Sequence, residues 1–147
     1  MRIKTMITGA VLVSGILLVL AVSCVGPTVG LVDGSLRACP SSPNCLSSES
    51  APDAAGYVEP FAIPADEAPE AAFERLAALV AERATIETRE PTYFHAVFKT
   101  RLLRFRDDFE ARLDSEARRI QVRSASRLGY SDLGANRRRV EDLRESW

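Results

Sequence analysis

The side chains best suited to chemistry in this chain of 147 residues lie between Asp107 and Arg137. Asp107 stands between Phe105 and Phe109 in a run that otherwise alternates apolar and charged residues, which gives it an inward position. A buried carboxylate needs a cation or hydrogen-bond donors, or else a bulge at Asp107-Asp108 that turns it outward. The partners on offer lie in Arg123-Ser124-Ala125-Ser126-Arg127-Leu128-Gly129-Tyr130-Ser131-Asp132-Leu133-Gly134-Ala135-Asn136-Arg137, which sets arginines, hydroxyls, an amide and a carboxylate around two glycines. From Arg118 to Arg139 seven arginines accompany one acid, Asp132.

Two kinds of work suit that block. In the first, the amide ends of a helix and Arg123, Arg127 or Arg137 bind a phosphate or carboxylate, with Ser124, Ser126, Tyr130, Ser131, Asp132, Asn136 and Asp107 completing the site. In the second the block is architecture: Arg123 or Arg127 neutralises Asp107, and Ser131 or Asp132 caps the last helix. The Arg137-Arg138-Arg139 triplet reads as a solvated helix face that meets anionic headgroups. Catalysis has less to draw on. A Ser-His-acid triad has only His95 to use, and His95 lies mid-strand among aromatics. No Gly-x-Ser-x-Gly elbow is present, and Gly129 to Gly134 lacks the spacing of a phosphate loop. Asp107 and Asp108 point to opposite faces of a regular strand. The catalytic alternative is therefore an envelope hydrolase or transferase using Asp107 or Asp132 as acid/base, and a third reading is a scaffold with no pocket. No cofactor is expected.

Cys39-Pro40-Ser41-Ser42-Pro43-Asn44-Cys45 holds two cysteines around two prolines. In an exported chain a disulfide closing a small loop is the favoured reading. A zinc site needs two further ligands, for which the chain offers His95 alone, and no metal is expected. A redox-active pair stands beside these, without the helix-start context that lowers a thiol pKa.

The elements that must position these residues follow from periodicity. After an acidic stretch running from Glu49 through Asp53, Glu59, Asp66 and Glu67 to Glu70, the apolar spacing of Phe73, Leu76, Leu79 and Val80 predicts a helix, N-capped by Asp66 and ending near Ala84. Strands are expected at Thr85 to Arg89, Tyr93 to Thr100, Leu102 to Asp114 and Arg119 to Ser126, with a turn at Ser115 to Arg118. On the longest, Leu103, Phe105, Phe109, Ala111 and Leu113 share the core face; Arg104, Arg106, Asp108, Glu110, Arg112 and Asp114 share a wet one. From about Asp132 the period is helical again, with Leu133, Val140, Leu143 and Trp147 on one side. The fold class expected is α+β: a two-layer domain in which an antiparallel β-meander packs with an N-terminal and a C-terminal helix.

Composition agrees with one globular domain, at 46% hydrophobic and 27% charged residues. With 19 Lys+Arg against 20 Asp+Glu the chain has no basic footprint, and no nucleic-acid partner is expected. Arg2 and Lys4 precede an uncharged apolar run through Val22, the order of an export signal. The run closes on Leu20-Ala21-Val22-Ser23-Cys24, which resembles a bacterial lipobox, so residues 1–23 read as a lipoprotein-type signal peptide and Cys24 as the lipidated residue. An uncleaved anchor helix over Ile7 to Val25, or plain signal cleavage, are the other outcomes. Residues 24–36 read as a tether and 37–147 as the domain, facing the periplasm or exterior of the cell envelope with the membrane as its partner.

Two blocks, Cys39 to Ser48 and Arg123 to Arg137, with Phe105-Arg106-Asp107-Asp108 between them, resemble the DUF1499 family, a domain of unknown function found in bacterial envelope proteins and chloroplast-associated plant proteins. The resemblance spans roughly residues 36–146. It implies a single exported or membrane-linked domain and carries no catalytic residue with it. The function expected is a noncatalytic, membrane-tethered module that binds an anionic small molecule, a lipid headgroup or an envelope protein through Arg123 to Arg137.

Overall fold

The computed structural model describes residues 29–100 and 105–147. The export segment, Cys24, the start of the tether and the first residues of the strand expected from Leu102 lie outside the described residues. Among the described residues no helix is long and apolar enough to cross a membrane.

Four strands form the expected meander: β5 (Thr85–Arg89), β6 (Tyr93–Lys99), β7 (Arg106–Asp114) and β8 (Arg119–Ser126). Four shorter ones precede them: β1 (Leu31–Val32), β2 (Ser35–Leu36), β3 (Cys45–Ser47) and β4 (Phe61–Ala62). The main sheet is antiparallel in the order β3-β8-β7-β6-β5, with β4 also paired on β8. Its ladder runs unbroken through Asp107 and Asp108, opposite Phe98 and Val97 on β6 and Ser126 and Ala125 on β8, so no bulge turns Asp107 outward. The one irregularity lies in β5, between Ile86 and Thr88.

Helix α1 (Pro69–Ala81) buries Ala72, Phe73, Leu76, Ala77 and Val80, the stripe that its spacing predicts. Its start differs from expectation. Pro69, whose φ is already helical, occupies the first turn behind Ala68 in extended conformation, so Asp66 caps nothing. Helix α2 (Ala135–Glu145) buries Asn136, Val140 and Leu143. It begins three residues after Asp132, and Leu133, expected on its apolar side, instead precedes it at φ 53°, 84% exposed. Both helices contribute to one core with the sheet, in which Phe73, Phe94 and Phe109 stack at centroid distances of 5.4 and 6.1 Å. The architecture is α+β: a mostly antiparallel sheet with two helices.

The face expected to be wet is buried at its centre, while Arg106, Arg112 and Asp114 keep part of their surface exposed and Arg104 lies outside the described residues. Asp108 and Glu110 have no exposed surface, and His95, Gln121 and Arg123 on neighbouring strands are buried too. The β1-β2 hairpin, which turns through Asp33 and Gly34 at positive φ, lies against β7 and β8. Its Leu36 is buried, and Gly30 N donates to Glu110 Oε1 at 2.7 Å. Residues 30–36 of the stretch read as tether are thus part of the fold.

Candidate functional site

Strand parity divides the arginine block. Arg123 and Arg127 share a face with Asp108 and Glu110, whereas Ser124 and Ser126 share the other with Asp107. On the first face Glu110 accepts Arg123 Nη1 at 2.7 Å and the Tyr93 hydroxyl at 2.8 Å. Burial and the Glu110 charge push the Tyr93 hydroxyl far up, which keeps it a neutral donor. Asp108 accepts Arg127 through Nε and Nη2 and meets His95 Nε2 at 2.7 Å. Burial alone would raise the Asp108 carboxyl; the bonds from His95 and Arg127 outweigh it and hold the carboxyl below the usual aspartate range. His95 is therefore occupied by an aspartate and an arginine cluster and faces away from Ser124 and Ser126.

On the second face the partner of Asp107 is Arg139, not Arg123 or Arg127 as expected. The reason lies in α2: Asn136, Arg139, Val140 and Leu143 recur at three- and four-residue spacing, so Arg139 borders the buried stripe while Arg137 and Arg138 do not. Arg139 Nη1 also donates to Ser124 Oγ at 3.0 Å and to Asn136 Oδ1. The Asn136 amide donates in turn to Asp132 Oδ2, Ser126 Oγ and the Asn44 carbonyl at 2.8–3.0 Å. Asp132 accepts the backbone N–H groups of Gly134 and Asn136 and so caps α2. Burial works against the charged form of Asp132, yet these amides hold its carboxyl below the usual range. A general acid or base works best with a pKa near the operating pH, and Asp132 is tuned the other way.

Cys39 and Cys45 form a disulfide, with Cα atoms 5.6 Å apart. The loop that it closes presents Asn44, whose Nδ2 donates to the Gly129 carbonyl at 2.5 Å. The cysteine block and the arginine-serine block are thereby joined. Among the described residues no group of three His, Cys, Asp or Glu side chains is placed to hold a metal ion.

Several cavities open beside this network, and two of them adjoin each other. One, of about 300 Å³, lies between the end of α1 and the exposed side of α2, and is lined by Arg83, Arg138, Arg139, Asp142, Phe98 and Leu143 among others. Three guanidinium groups accompany a single carboxylate there. Arg139 is held by Asp107 and lies over the Phe98 ring at 4.6 Å. Arg138 spends one donor on the Leu133 carbonyl and Arg83 one on Ser146 Oγ, so both keep donors for a ligand. The second cavity, of about 480 Å³, has Phe105, Leu128 and Leu133 on its walls together with Asp107, Ser126 and Asp132. Both cavities include Ala135, and the Asp107–Arg139 pair joins the lining of one to that of the other.

Of the residues expected at a ligand site, Asp107, Ser126, Ser131 and Asp132 line the second cavity, and Ser124 and Asn136 are buried in the network behind it. Arg123 and Arg127 are on the far side of the sheet. Arg137 donates to the carbonyls of Ala55 and Tyr57, and Tyr130 projects into solvent. Sequence reasoning missed Arg83 outright, which no motif marks. It read Arg138 and Arg139 as a solvated face, although the spacing of Arg139 from Asn136 and Leu143 was a usable signal.

A family model described as a protein of unknown function, DUF1499, matches residues 35–146. No curated protein and no solved structure matches the chain.

Proposed function

The chain belongs to the DUF1499 family, and we propose that its domain is a noncatalytic module that binds an anionic group at the cell envelope, tethered by a lipid on Cys24. The observation that supports this is the convergence of Arg83, Arg138 and Arg139 on one cavity against the single carboxylate of Asp142. Planar guanidinium groups hold phosphate and carboxylate through paired, charge-assisted hydrogen bonds. The anion thus meets Arg83, Arg138 and Arg139, while Arg123 of β8 and Arg127 just after it are consumed by Glu110 and Asp108. The frame is the two-layer packing of a meander against both helices, which fixes Arg139 through Asp107 and leaves Arg83 and Arg138 with donors to spare for the ligand.

Isothermal titration with inorganic phosphate tests the reading. The wild-type protein binds in a salt-sensitive manner, and Arg83→Ala/Arg138→Ala, two exposed positions, weakens binding at least about tenfold, or about 1.4 kcal/mol. Absence of binding to the wild type, or full binding by the double variant, overturns it. Mass spectrometry of the mature protein tests the tether: an unmodified Cys24 on a soluble product removes that part of the proposal.

A further inference from the structure

We propose that the bound anion carries a hydrocarbon chain, and that this chain occupies the cavity walled by Phe105, Leu128 and Leu133. The ligand class is then a single-chain anionic amphiphile. This rests on the anionic reading of the arginine cavity and extends it.

Three independent observations lead there. The first is adjacency: the apolar cavity begins where the basic one ends, with Ala135 lining both and the Asp107–Arg139 ion pair between them. A head on Arg83 and Arg138 has its next atoms at that boundary. The second is size and lining. About 480 Å³ falls within the range of small-molecule sites, and the polar groups on its wall are already engaged: Asp107 by Arg139, Asp132 by the N–H groups of Gly134 and Asn136, and Ser126 by the Asn136 amide. The Thr100 and Ser131 hydroxyls each accept a backbone N–H, and the rest of the described wall is mainly apolar surface from Phe105, Leu128, Leu133 and Ala135. The third is Leu133. Its φ of 53° lies in the left-handed region that a leucine seldom adopts, and its side chain is 84% exposed at the cavity rim. Core packing explains neither feature, because Leu133 stands outside the core cluster.

The test compares methyl phosphate with octyl phosphate, each below its aggregation threshold, by isothermal titration on the purified full chain. Octyl phosphate binds about 30-fold tighter, the gain from burying two or three methylenes. Leu133→Asn, which suits the left-handed backbone, and Leu128→Gln each cut that gain to less than about fivefold without changing affinity for methyl phosphate. The two variants guard each other: Leu133→Asn is a surface change and keeps the fold if Leu128→Gln does not. Equal affinity for the two phosphates overturns the chain site and leaves the anionic site standing. A gain that survives both substitutions places the chain elsewhere and also overturns it. Failure of both compounds to bind removes the anionic reading, and the chain site with it.

Discussion

Replacing Arg123 by methionine separates a structural arginine from a ligand-binding one. Glu110 has no exposed surface and takes hydrogen bonds from Arg123 Nη1, the Tyr93 hydroxyl and Gly30 N. In Arg123→Met the two neutral donors remain and the compensating charge is lost. Breaking a buried pair from one side costs about 3–5 kcal/mol, because the other charge stays buried. Urea unfolding at pH 7 therefore shows a loss of about 3–5 kcal/mol. This is a drop of roughly 10–25 °C in Tm for a domain of this size. Glu110→Gln added to Arg123→Met keeps an acceptor for Tyr93 and Gly30 without the charge, and recovers most of the loss at pH 7. Phosphate affinity is unchanged in the double variant. A loss under about 1 kcal/mol at pH 7, or one that Glu110→Gln does not recover, refutes the reasoning.

Two further outcomes are expected. Asp108 and Asp132 have carboxyls held below the ordinary aspartate value of about 3.9, so each contributes stability that is present above that value and is lost as pH falls through the depressed one. Circular dichroism on acid titration shows the domain destabilised below about pH 4, and Asp108→Asn lowers neutral stability while flattening that acid limb. Substituting both Cys39 and Cys45 by serine costs roughly 2 kcal/mol, the loop-closure value for so short a ring. Dithiothreitol lowers the Tm of the wild type by the matching amount and leaves the serine variant unaffected.

The strands of the meander were legible because alternation is a local signal: β5 and β8 have the boundaries that their sequences predict. The short strands were not. β1 to β4 have two or three residues each, too few for a period; β1 and β2 pair only with each other, and β3 and β4 exist through pairing with distant β8, as Cys45 does with Ala125. The same locality explains the wet face that is in fact buried. A row of charges on alternate positions looks the same whether water or an opposite charge neutralises it, and only the register that sets Glu110 opposite Arg123 distinguishes the two. The Cys39–Cys45 bond was legible from its spacing together with the export signal expected ahead of it. Its contact with the second block through Asn44 and Gly129 spans 85 positions and had no local trace.

The candidate site lies at the helices rather than on the strand expected from sequence, for a reason that parity makes plain. Residues 123 and 124 of a regular strand cannot serve one ligand, since their side chains leave opposite faces, so a block that mixes Arg123 and Arg127 with Ser124 and Ser126 describes two environments. Each environment then balances its own charge. Glu110 takes Arg123, Asp108 takes Arg127 and Asp107 takes Arg139, so the excess of arginine along the block is no measure of the field that a ligand meets. What attracts an anion is cationic charge left over after these pairings. Of the three guanidinium groups around the basic cavity, only Arg139 has a carboxylate partner among the described residues. Arg83, just past the end of α1, and Arg138, in the first turn of α2, stand against the one carboxylate of Asp142, which leaves a surplus of one positive charge there.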